Sequence, residues 1–179
     1  MTLKHNIHNY LKLLFLLFIL TLESCLTAGT HGSIKSYGFN TNKHILQEAV
    51  ENTILKNKLI KLDTINNYMI DETNGRNDTI FDNYYNDRER YVTIYIKVGN
   101  GYNEYIIQYA GDKEYWDTAK SSEISIAYAY DKNENGGSEG NGGVNWYNWA
   151  LRKRLLKPFE REFISDLERE INIKHFDPD

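Results

Sequence analysis

This chain has few of the residue patterns that most often carry chemistry. Among its 179 residues there is one cysteine, Cys25, so no disulfide can form within the chain. Its five histidines are scattered, and none stands at the Cys/His or His-Glu-x-x-His spacing that zinc sites use. No Gly-Lys-Ser or Gly-Lys-Thr follows a glycine-rich segment, as a phosphate-binding loop requires. These absences argue against a zinc enzyme and a nucleotide hydrolase.

Positive charge is also scarce relative to negative charge. The chain has 21 Lys and Arg residues against 25 Asp and Glu residues, which gives a net charge of −4 at neutral pH. A mildly acidic domain is poorly suited to nucleic acid or to anionic lipid. We therefore predict no nucleic-acid partner. Aromatic residues are plentiful, with 14 tyrosines and three tryptophans.

The N-terminal segment contains the longest apolar run. Residues 13–20 are all Leu, Phe or Ile, two lysines precede them (Lys4 and Lys12), and the first acidic residue is Glu23. A positive start followed by a short apolar stretch and a small residue is typical of a secretory signal. The run is too short for a relaxed membrane span, which needs about 20 apolar residues. We therefore predict that residues 1–24 are a signal peptide.

The end of this run resembles the lipobox of bacterial lipoproteins. Leu22 and Ser24 occupy its usual apolar and small positions before Cys25. Glu23 departs from the pattern, because a small or apolar residue is commoner there. The resemblance implies cleavage between Ser24 and Cys25 and acylation of Cys25, and two or more acyl chains anchor a protein stably. The alternatives are an ordinary signal peptide that leaves Cys25 as a free thiol, and an uncleaved anchor.

Two further strings, at residues 29–35 and 136–140, are similar to small, uncharacterised bacterial lipoproteins. This resemblance brings no catalytic residue with it. It implies a lipid-anchored protein of the cell envelope, with the membrane as a partner through the lipid on Cys25. No acidic run follows Cys25, so we favour the outer membrane, facing the periplasm, over the inner membrane.

The rest of the chain is predicted to be a short tether, residues 25–32, and one domain, residues 33–179. Thr41 or Asn42 can cap a helix because each side chain offers an oxygen to an unpaired amide. Apolar residues then follow at helical spacing, which predicts a helix over about 42–58. A C-terminal apolar stripe predicts a second helix over about 149–172, with Pro158 starting or kinking it.

Alternation of apolar and polar residues predicts three strands over about 91–130, joined as an antiparallel meander. Asn100-Gly101 indicates a type I′ hairpin turn, and residues 111–122 are a predicted loop. In the third strand one face is expected to hold Ile124, Ile126, Tyr128 and Tyr130. The predicted fold class is α+β, with helices on one sheet face and a tyrosine-rich face left for solvent or a partner.

Residues 131–143 are rich in glycine, and their first half matches a calcium-binding loop. Oxygen-bearing side chains stand at alternate positions and a glycine follows them, but the twelfth position is Gly142 rather than a bidentate glutamate. The candidate ligands are Asp131, Asn133, Asn135 and Glu139, with a carbonyl oxygen from Gly137. A flexible hydrophilic connection is the favoured alternative, because calcium needs several carboxylates at once. We therefore predict no cofactor, with calcium as the one candidate.

Aromatic residues outside the predicted strands form the candidate binding set. The residues are Tyr84, Tyr85, Tyr115, Trp116, Trp146, Tyr147 and Trp149, of which Tyr84, Tyr85, Trp116, Trp146 and Trp149 are the preferred candidates. Tyrosine and tryptophan are common anchors of interfaces and can stack on sugars. The alternative is that they pack at the rim of the core.

The predicted function is a non-catalytic binding or assembly role at the envelope, with an envelope protein as the possible partner. Two alternatives stay open. One is an immunity-type inhibitor of a protein partner, and the other is a carbohydrate-binding or hydrolytic protein. The carboxylate pairs of a hydrolase would be Asp112 with Glu114 or Asp82 with Asp87, although exposed charge explains such pairs more simply.

Overall fold

The computed structural model describes residues 32–63, 89–139, 143–145 and 147–178, together with the backbone of residues 68–71 and 78–81. The predicted signal peptide, Ser24, Cys25 and residues 25–31 of the predicted tether lie outside the described residues. In the described part of the chain, no helix combines the length and apolar character that a membrane crossing needs.

An antiparallel sheet forms the centre of the domain. Its strands are β1 (Lys35–Phe39), β2 (Ile60–Leu62), β5 (Tyr91–Val98), β6 (Gly101–Tyr109), β7 (Ser122–Tyr130) and β8 (Gly136–Gly137). They run in the order β1-β7-β6-β5-β2, and β8 pairs with β7. A separate hairpin joins β3 (Tyr68–Asp71) to β4 (Asp78–Phe81).

Helices cover one face of this sheet, so the predicted α+β class is confirmed. The helices are α1 (Lys43–Lys56), α2 (Lys113–Thr118), α3 (Trp149–Phe159) and α4 (Ser165–Ile171), and a π-helical turn, Glu160–Ile164, links α3 to α4. Both predicted long helices are present within a few residues of their expected bounds. Asn42 caps α1, since its Oδ1 accepts a hydrogen bond from the backbone N–H of Ile45 at 3.0 Å.

Aromatic side chains fill the space between the helices and the inner face of the sheet. Phe159 lies 5.0 Å from Tyr105 and 5.0 Å from Phe163, measured between ring centroids, and all three side chains are fully buried. The Tyr105 hydroxyl donates to the carbonyl of Leu155 at 2.8 Å and accepts from the Asn103 amide at 3.2 Å. The buried hydroxyl is therefore satisfied, as a core tyrosine requires.

The predicted loop over residues 111–122 is wrong, because it contains α2. Asp112 caps this short helix by accepting a hydrogen bond from the backbone N–H of Tyr115 at 2.9 Å. Trp116 is buried, and its indole N–H donates to the carbonyl of Ala110 at 2.8 Å. Capping and the burial of one large side chain stabilise a helix too short to show a periodic pattern.

The β5–β6 turn also differs from its prediction. Val98 pairs with Gly101, so the two central residues are Gly99 and Asn100. Of these two, only Gly99 has a positive φ, +58°. Glycine at the first central position is typical of a type II′ turn, whereas a type I′ turn needs positive φ at both positions. Gly101 therefore starts β6 and does not belong to the turn.

A β-bulge in β7 overturns the predicted alternation of that strand. Ile106 pairs with Tyr128 and Ile107 pairs with Ile126, which leaves Ala127 without an opposite residue. Ile126 is fully buried on the inner face, whereas Tyr128 is partly exposed. A one-residue slip moves every later side chain to the other face. The bulge therefore places Tyr128 and Tyr130 on the outer face of the sheet.

Candidate functional site

The outer face of the sheet carries a row of cross-strand neighbours centred on Glu104. Glu104 of β6 stands opposite Tyr95 of β5 on one side and opposite Tyr130 of β7 on the other. Directly opposite residues in antiparallel strands are close enough for their side chains to interact. Tyr102 lies on the same face of β6, two residues before Glu104. We call the set Tyr95, Tyr102, Glu104, Tyr128 and Tyr130 the tyrosine face, and all five side chains are partly exposed.

Glu104 is a carboxylate that has no compensating cation in the part of the chain that the structure describes. Among the described residues, no lysine, arginine or histidine forms an ion pair with it. Partial burial raises the pKa of Glu104 above its ordinary value, and the negative charge of Asp63 raises it further. Desolvation and like charge both disfavour an ionised carboxylate. A cationic group brought to this position would relieve both penalties.

Asp63 reaches the same face because it extends the pairing of β2. Its backbone N–H donates to the carbonyl of Thr93 at 2.9 Å, and the Tyr95 hydroxyl lies 3.5 Å from its Oδ2 atom. The pKa of Tyr95 is raised by burial first and then by the charges of Glu104 and Asp63. The tyrosine therefore keeps its proton and donates toward the acidic centre of this face.

Two tyrosines from β7 form a flat surface beside Glu104. The rings of Tyr128 and Tyr130 are stacked, with 6.4 Å between centroids and 13° between planes. Burial raises the pKa of Tyr130, with smaller contributions from Tyr128 and Glu104. Protonated phenols combine an apolar ring with a hydrogen-bonding hydroxyl, which suits a contact that is partly dry and partly polar.

Lysines border the tyrosine face on its β2 side, where Lys61 stands opposite Tyr95, and toward the β5–β6 turn. The ammonium of Lys61 lies 4.4 Å from the centroid of the Tyr102 ring, and Lys97 stands opposite Tyr102 in the sheet. Hydrogen bonding to Lys61 lowers the pKa of Tyr102. The face thus has an acidic, tyrosine-lined centre and a basic border, a distribution that favours a partner of complementary charge.

The glycine-rich segment is an ordered hairpin over residues 131–137. Tyr130 pairs with Gly136, and the backbone N–H of Asp131 donates to the carbonyl of Asn135 at 2.9 Å. Gly136 has φ +156°, and a Cβ at this position would stand 1.9 Å from the carbonyl oxygen of Ala129. Glycine is therefore required where the returning strand touches β7. The connection is therefore a hairpin in this structure, and its flexibility stays a prediction.

The candidate calcium ligands are engaged by protein groups in this conformation. The Oδ1 atom of Asp131 accepts hydrogen bonds from the backbone N–H groups of Asn133 and Asn135 at 2.9 and 3.0 Å. Its Oδ2 atom lies 2.6 Å from the Arg154 guanidinium. Glu139 lies 3.8 Å from Arg152. Among the described residues there is no group of three or more His, Cys, Asp or Glu suited to a metal. The calcium site stays a prediction.

The aromatic binding candidates fall into three groups. Tyr84, Tyr85 and Trp146 lie outside the described residues. Trp116 is buried, with the Lys43 ammonium 3.0 Å from its ring centroid, which favours the packing alternative for this residue. Trp149 is 65% exposed at the start of α3, and Lys153 lies 4.6 Å from its ring. Trp116 and Trp149 belong to different helices, and neither belongs to the tyrosine face.

Residues 136–140, Gly-Gly-Ser-Glu-Gly, fit the Gly-x-Ser-x-Gly pattern of a serine nucleophile elbow. The prediction of a non-catalytic role did not take this match into account. In an elbow the serine sits between a strand and a helix. Here Gly136 and Gly137 form β8 of an antiparallel hairpin, and the Ser138 carbonyl accepts from the backbone N–H of Val144 at 2.8 Å. The surroundings of Ser138 do not match an elbow.

The carboxylate pairs that a hydrolase would use are not part of the tyrosine face. Asp112 is the cap of α2, and Glu114 lies in its first turn. Asp82 and Asp87 lie outside the described residues. The carboxylates that the sheet does bring near tyrosines, Asp63 and Glu104, were not singled out by sequence. Asp63 follows β2, which is too short to show alternation, and the bulge that adds Tyr128 and Tyr130 has no sequence signal.

Comparison with known proteins finds no matching family model, no similar curated protein and no similar solved structure.

Proposed function

We propose that this chain is a lipid-anchored protein of the bacterial cell envelope whose domain binds another envelope protein through the tyrosine face. The lipobox-like segment that ends at Cys25 supports the anchor. The observation that carries the binding role is Glu104, which is partly buried between Tyr95 and Tyr130 and has no cationic partner among the described residues. We propose a non-catalytic role, in which the face recognises a partner and transforms nothing.

The chemistry of the face specifies the kind of partner. A lysine or arginine of the partner would pair with Glu104 and offset the repulsion from Asp63. Tyrosines around such a contact exclude water and present both ring and phenol groups to the partner, as interface anchors do. Lys61 and Lys97 at the border would meet acidic groups at the rim of the partner. An envelope protein with a basic residue at the centre of its contact surface fits this description.

Carbohydrate binding is the second candidate function. The same face places two carboxylates, Asp63 and Glu104, beside aromatic rings, and sugars use both hydrogen-bond acceptors and ring faces. A glycan would not need the positive charge that Glu104 favours. Glu104→Gln, which keeps a hydrogen-bonding group and removes the charge, therefore separates the two functions.

The anchor is tested by the intact mass of the full chain extracted from cell envelope, beside a Cys25→Ala variant. We expect a mass that begins at Cys25 with added acyl chains, and loss of that modified form in the variant. A mass that retains residues 1–24 indicates an uncleaved anchor, and a cut chain without lipid indicates a soluble exported domain. Either result would contradict the proposed anchor.

The binding role is tested by placing a photo-crosslinking amino acid at Tyr130 in the full chain expressed in its own envelope. A second chain carries the same amino acid at Trp149, which is more exposed than Tyr130 and lies outside the tyrosine face. We expect one protein adduct at position 130 and not at 149, and its loss when Glu104→Gln is added. An adduct that persists in Glu104→Gln, or that forms only at position 149, would contradict the proposal. Binding of purified glycan that survives Glu104→Gln would favour the second candidate.

A further inference from the structure

A cavity with both polar and apolar walls opens at the end of the sheet near the β5–β6 turn. Its volume is about 490 Å³, within the range of about 300–1,000 Å³ that small-molecule sites occupy. The polar residues that line it are Asn100, Asn103, Asp131, Lys132, Asn133 and Arg154. None of them belongs to the tyrosine face, so the cavity is a separate feature of the domain.

Part of the cavity wall is fixed by packing and hydrogen bonds, namely the buried Asn103 and Asp131, whereas Asn100 and Asn133 are exposed. Asn103 is 2% exposed and donates to the Tyr105 hydroxyl, which is itself bonded to α3. Lys132 packs its aliphatic stem against Gly101, because a Cβ added to Gly101 would stand 2.8 Å from the Lys132 Cβ atom. Asp131 is held by Asn133 and Asn135 within the hairpin. Preformed walls of this kind reduce the ordering cost of binding a ligand.

The cavity lining has two cationic side chains, Lys132 and Arg154, and one carboxylate, Asp131. The carboxylate of Asp131 already accepts hydrogen bonds on both oxygens and contacts Arg154 at 2.6 Å. Although burial alone would raise the pKa of Asp131, its hydrogen bonds and Arg154 outweigh burial and lower that pKa. Asp131 therefore stays ionised and neutralises one cation. Lys132 and Arg154 line the cavity together with three asparagines.

We propose that this cavity binds a small hydroxylated organic carboxylate. The guanidinium of Arg154 and the ammonium of Lys132 would hold the carboxylate, since charge-assisted bonds from arginine to carboxylates are strong and directional. The amides of Asn100, Asn103 and Asn133 can each donate and accept, which matches hydroxyl groups on the rest of the ligand. The same cations disfavour a bound calcium ion, because Arg154 already occupies the carboxylate that calcium would need.

The test uses glucuronate as the probe and the full lipidated chain purified in detergent. Isothermal calorimetry measures binding of glucuronate, of neutral glucose and of calcium chloride under the same conditions. We expect saturable binding of glucuronate and none of glucose or calcium. Arg154→Lys keeps the charge but loses the planar fork, and should weaken glucuronate binding by about tenfold or more.

Two further variants keep the test valid if Arg154→Lys destabilises the hairpin. Lys132→Gln and Asn133→Ala alter side chains that line the cavity, and thermal unfolding checks that each variant is folded. Both should weaken glucuronate binding, whereas Lys153→Gln, on the same helix as Arg154, should not. No saturable heat with glucuronate, equal binding of glucose, binding of calcium, or binding that none of the three cavity variants weakens would each overturn the proposal.

Discussion

The two faces of the central sheet use tyrosine in opposite ways. On the inner face Tyr37, Tyr105 and Tyr109 are at most 1% exposed. The Tyr105 hydroxyl donates a hydrogen bond within the core. Burial raises the pKa of all three tyrosines well above the ordinary value. On the outer face Tyr95 and Tyr130 are partly exposed and flank Glu104, a carboxylate without a cation among the described residues.

This difference separates residues that stabilise the fold from residues available for recognition. Tyr37 and Tyr105 pack against Phe159, and their hydroxyls donate to Glu160 and to the Leu155 carbonyl. The buried Tyr109 hydroxyl has no hydrogen-bond partner among the described residues. The outer face instead keeps an unfavourable carboxylate in place. Groups that lower the stability of a free protein are common at binding sites, where a partner provides the missing interaction.

The largest expected effect comes from truncating the aromatic core. Phe159→Ala should lower the free energy of unfolding by about 3–5 kcal/mol, because it leaves a cavity between α3 and the sheet. Tyr130→Ala, the matched change on the outer face, should cost about 1 kcal/mol or less. Urea denaturation of the two variants beside the wild type measures both values. Equal losses would mean that the outer face is as much a part of the core as the inner face.

Asp131→Ala is expected to have the next largest effect. It removes several hydrogen bonds within the hairpin and the ion pair with Arg154, and should cost about 1–3 kcal/mol at neutral pH. Because the folded pKa of Asp131 is lowered, its contribution is present above the ordinary aspartate pKa, about 3.9, and is lost as the pH falls through the folded value. The difference in stability between wild type and variant should therefore shrink below about pH 4. A difference that stays constant down to pH 2 would contradict this assignment.

Tyr105→Phe isolates one hydroxyl from the packing of its ring. It removes the bond to Leu155 and leaves the Asn103 amide without this acceptor, so it should cost about 1–2 kcal/mol. Tyr102→Phe on the outer face should change the free energy of unfolding by less than about 0.5 kcal/mol. Chemical denaturation of both variants gives the comparison. A larger loss for Tyr102→Phe would contradict the assignment of the core to the inner face.

Long periodic segments made the fold class predictable from sequence. The alternation from Tyr91 to Val98 gave the bounds of β5, and the apolar spacing after Asn42 located α1. Both patterns repeat over several turns or residue pairs, and both reflect burial on one side. Asn42 added a local signal with its own physical cause, the capping of an unpaired amide.

Features that depend on a partner strand could not be predicted from the residue pattern of a single strand. The bulge at Ala127 is defined by what stands opposite it in β6, so no pattern within β7 reveals it. The short strand β2 is held by pairing with β5, with Ile60 opposite Ile96, and has too few residues for a period. No sequence pattern singles out Glu104, because its burial and the nearby charge of Asp63 arise only from tertiary contacts.

Glu104→Gln should produce a small change in stability, and one of opposite sign. Because the folded pKa of Glu104 is raised, its ionised form destabilises the domain at neutral pH, and the penalty disappears as the pH falls through the folded value. The variant should therefore be more stable than the wild type by less than about 1 kcal/mol at pH 7. The two should converge below the ordinary glutamate pKa, about 4.3.

Thermal unfolding between about pH 3 and about pH 8 measures this difference, with Glu123→Gln on β7 as the control substitution. Combined with the crosslinking experiment at position 130, the variant gives two readouts that a structural role cannot produce together. Glu104→Gln should stabilise the free domain and abolish the protein adduct, because the same carboxylate is unfavourable alone and favourable beside a cation. A variant that is less stable than the wild type at pH 7 would show that Glu104 supports the fold, and the contrast between the two faces would then fail.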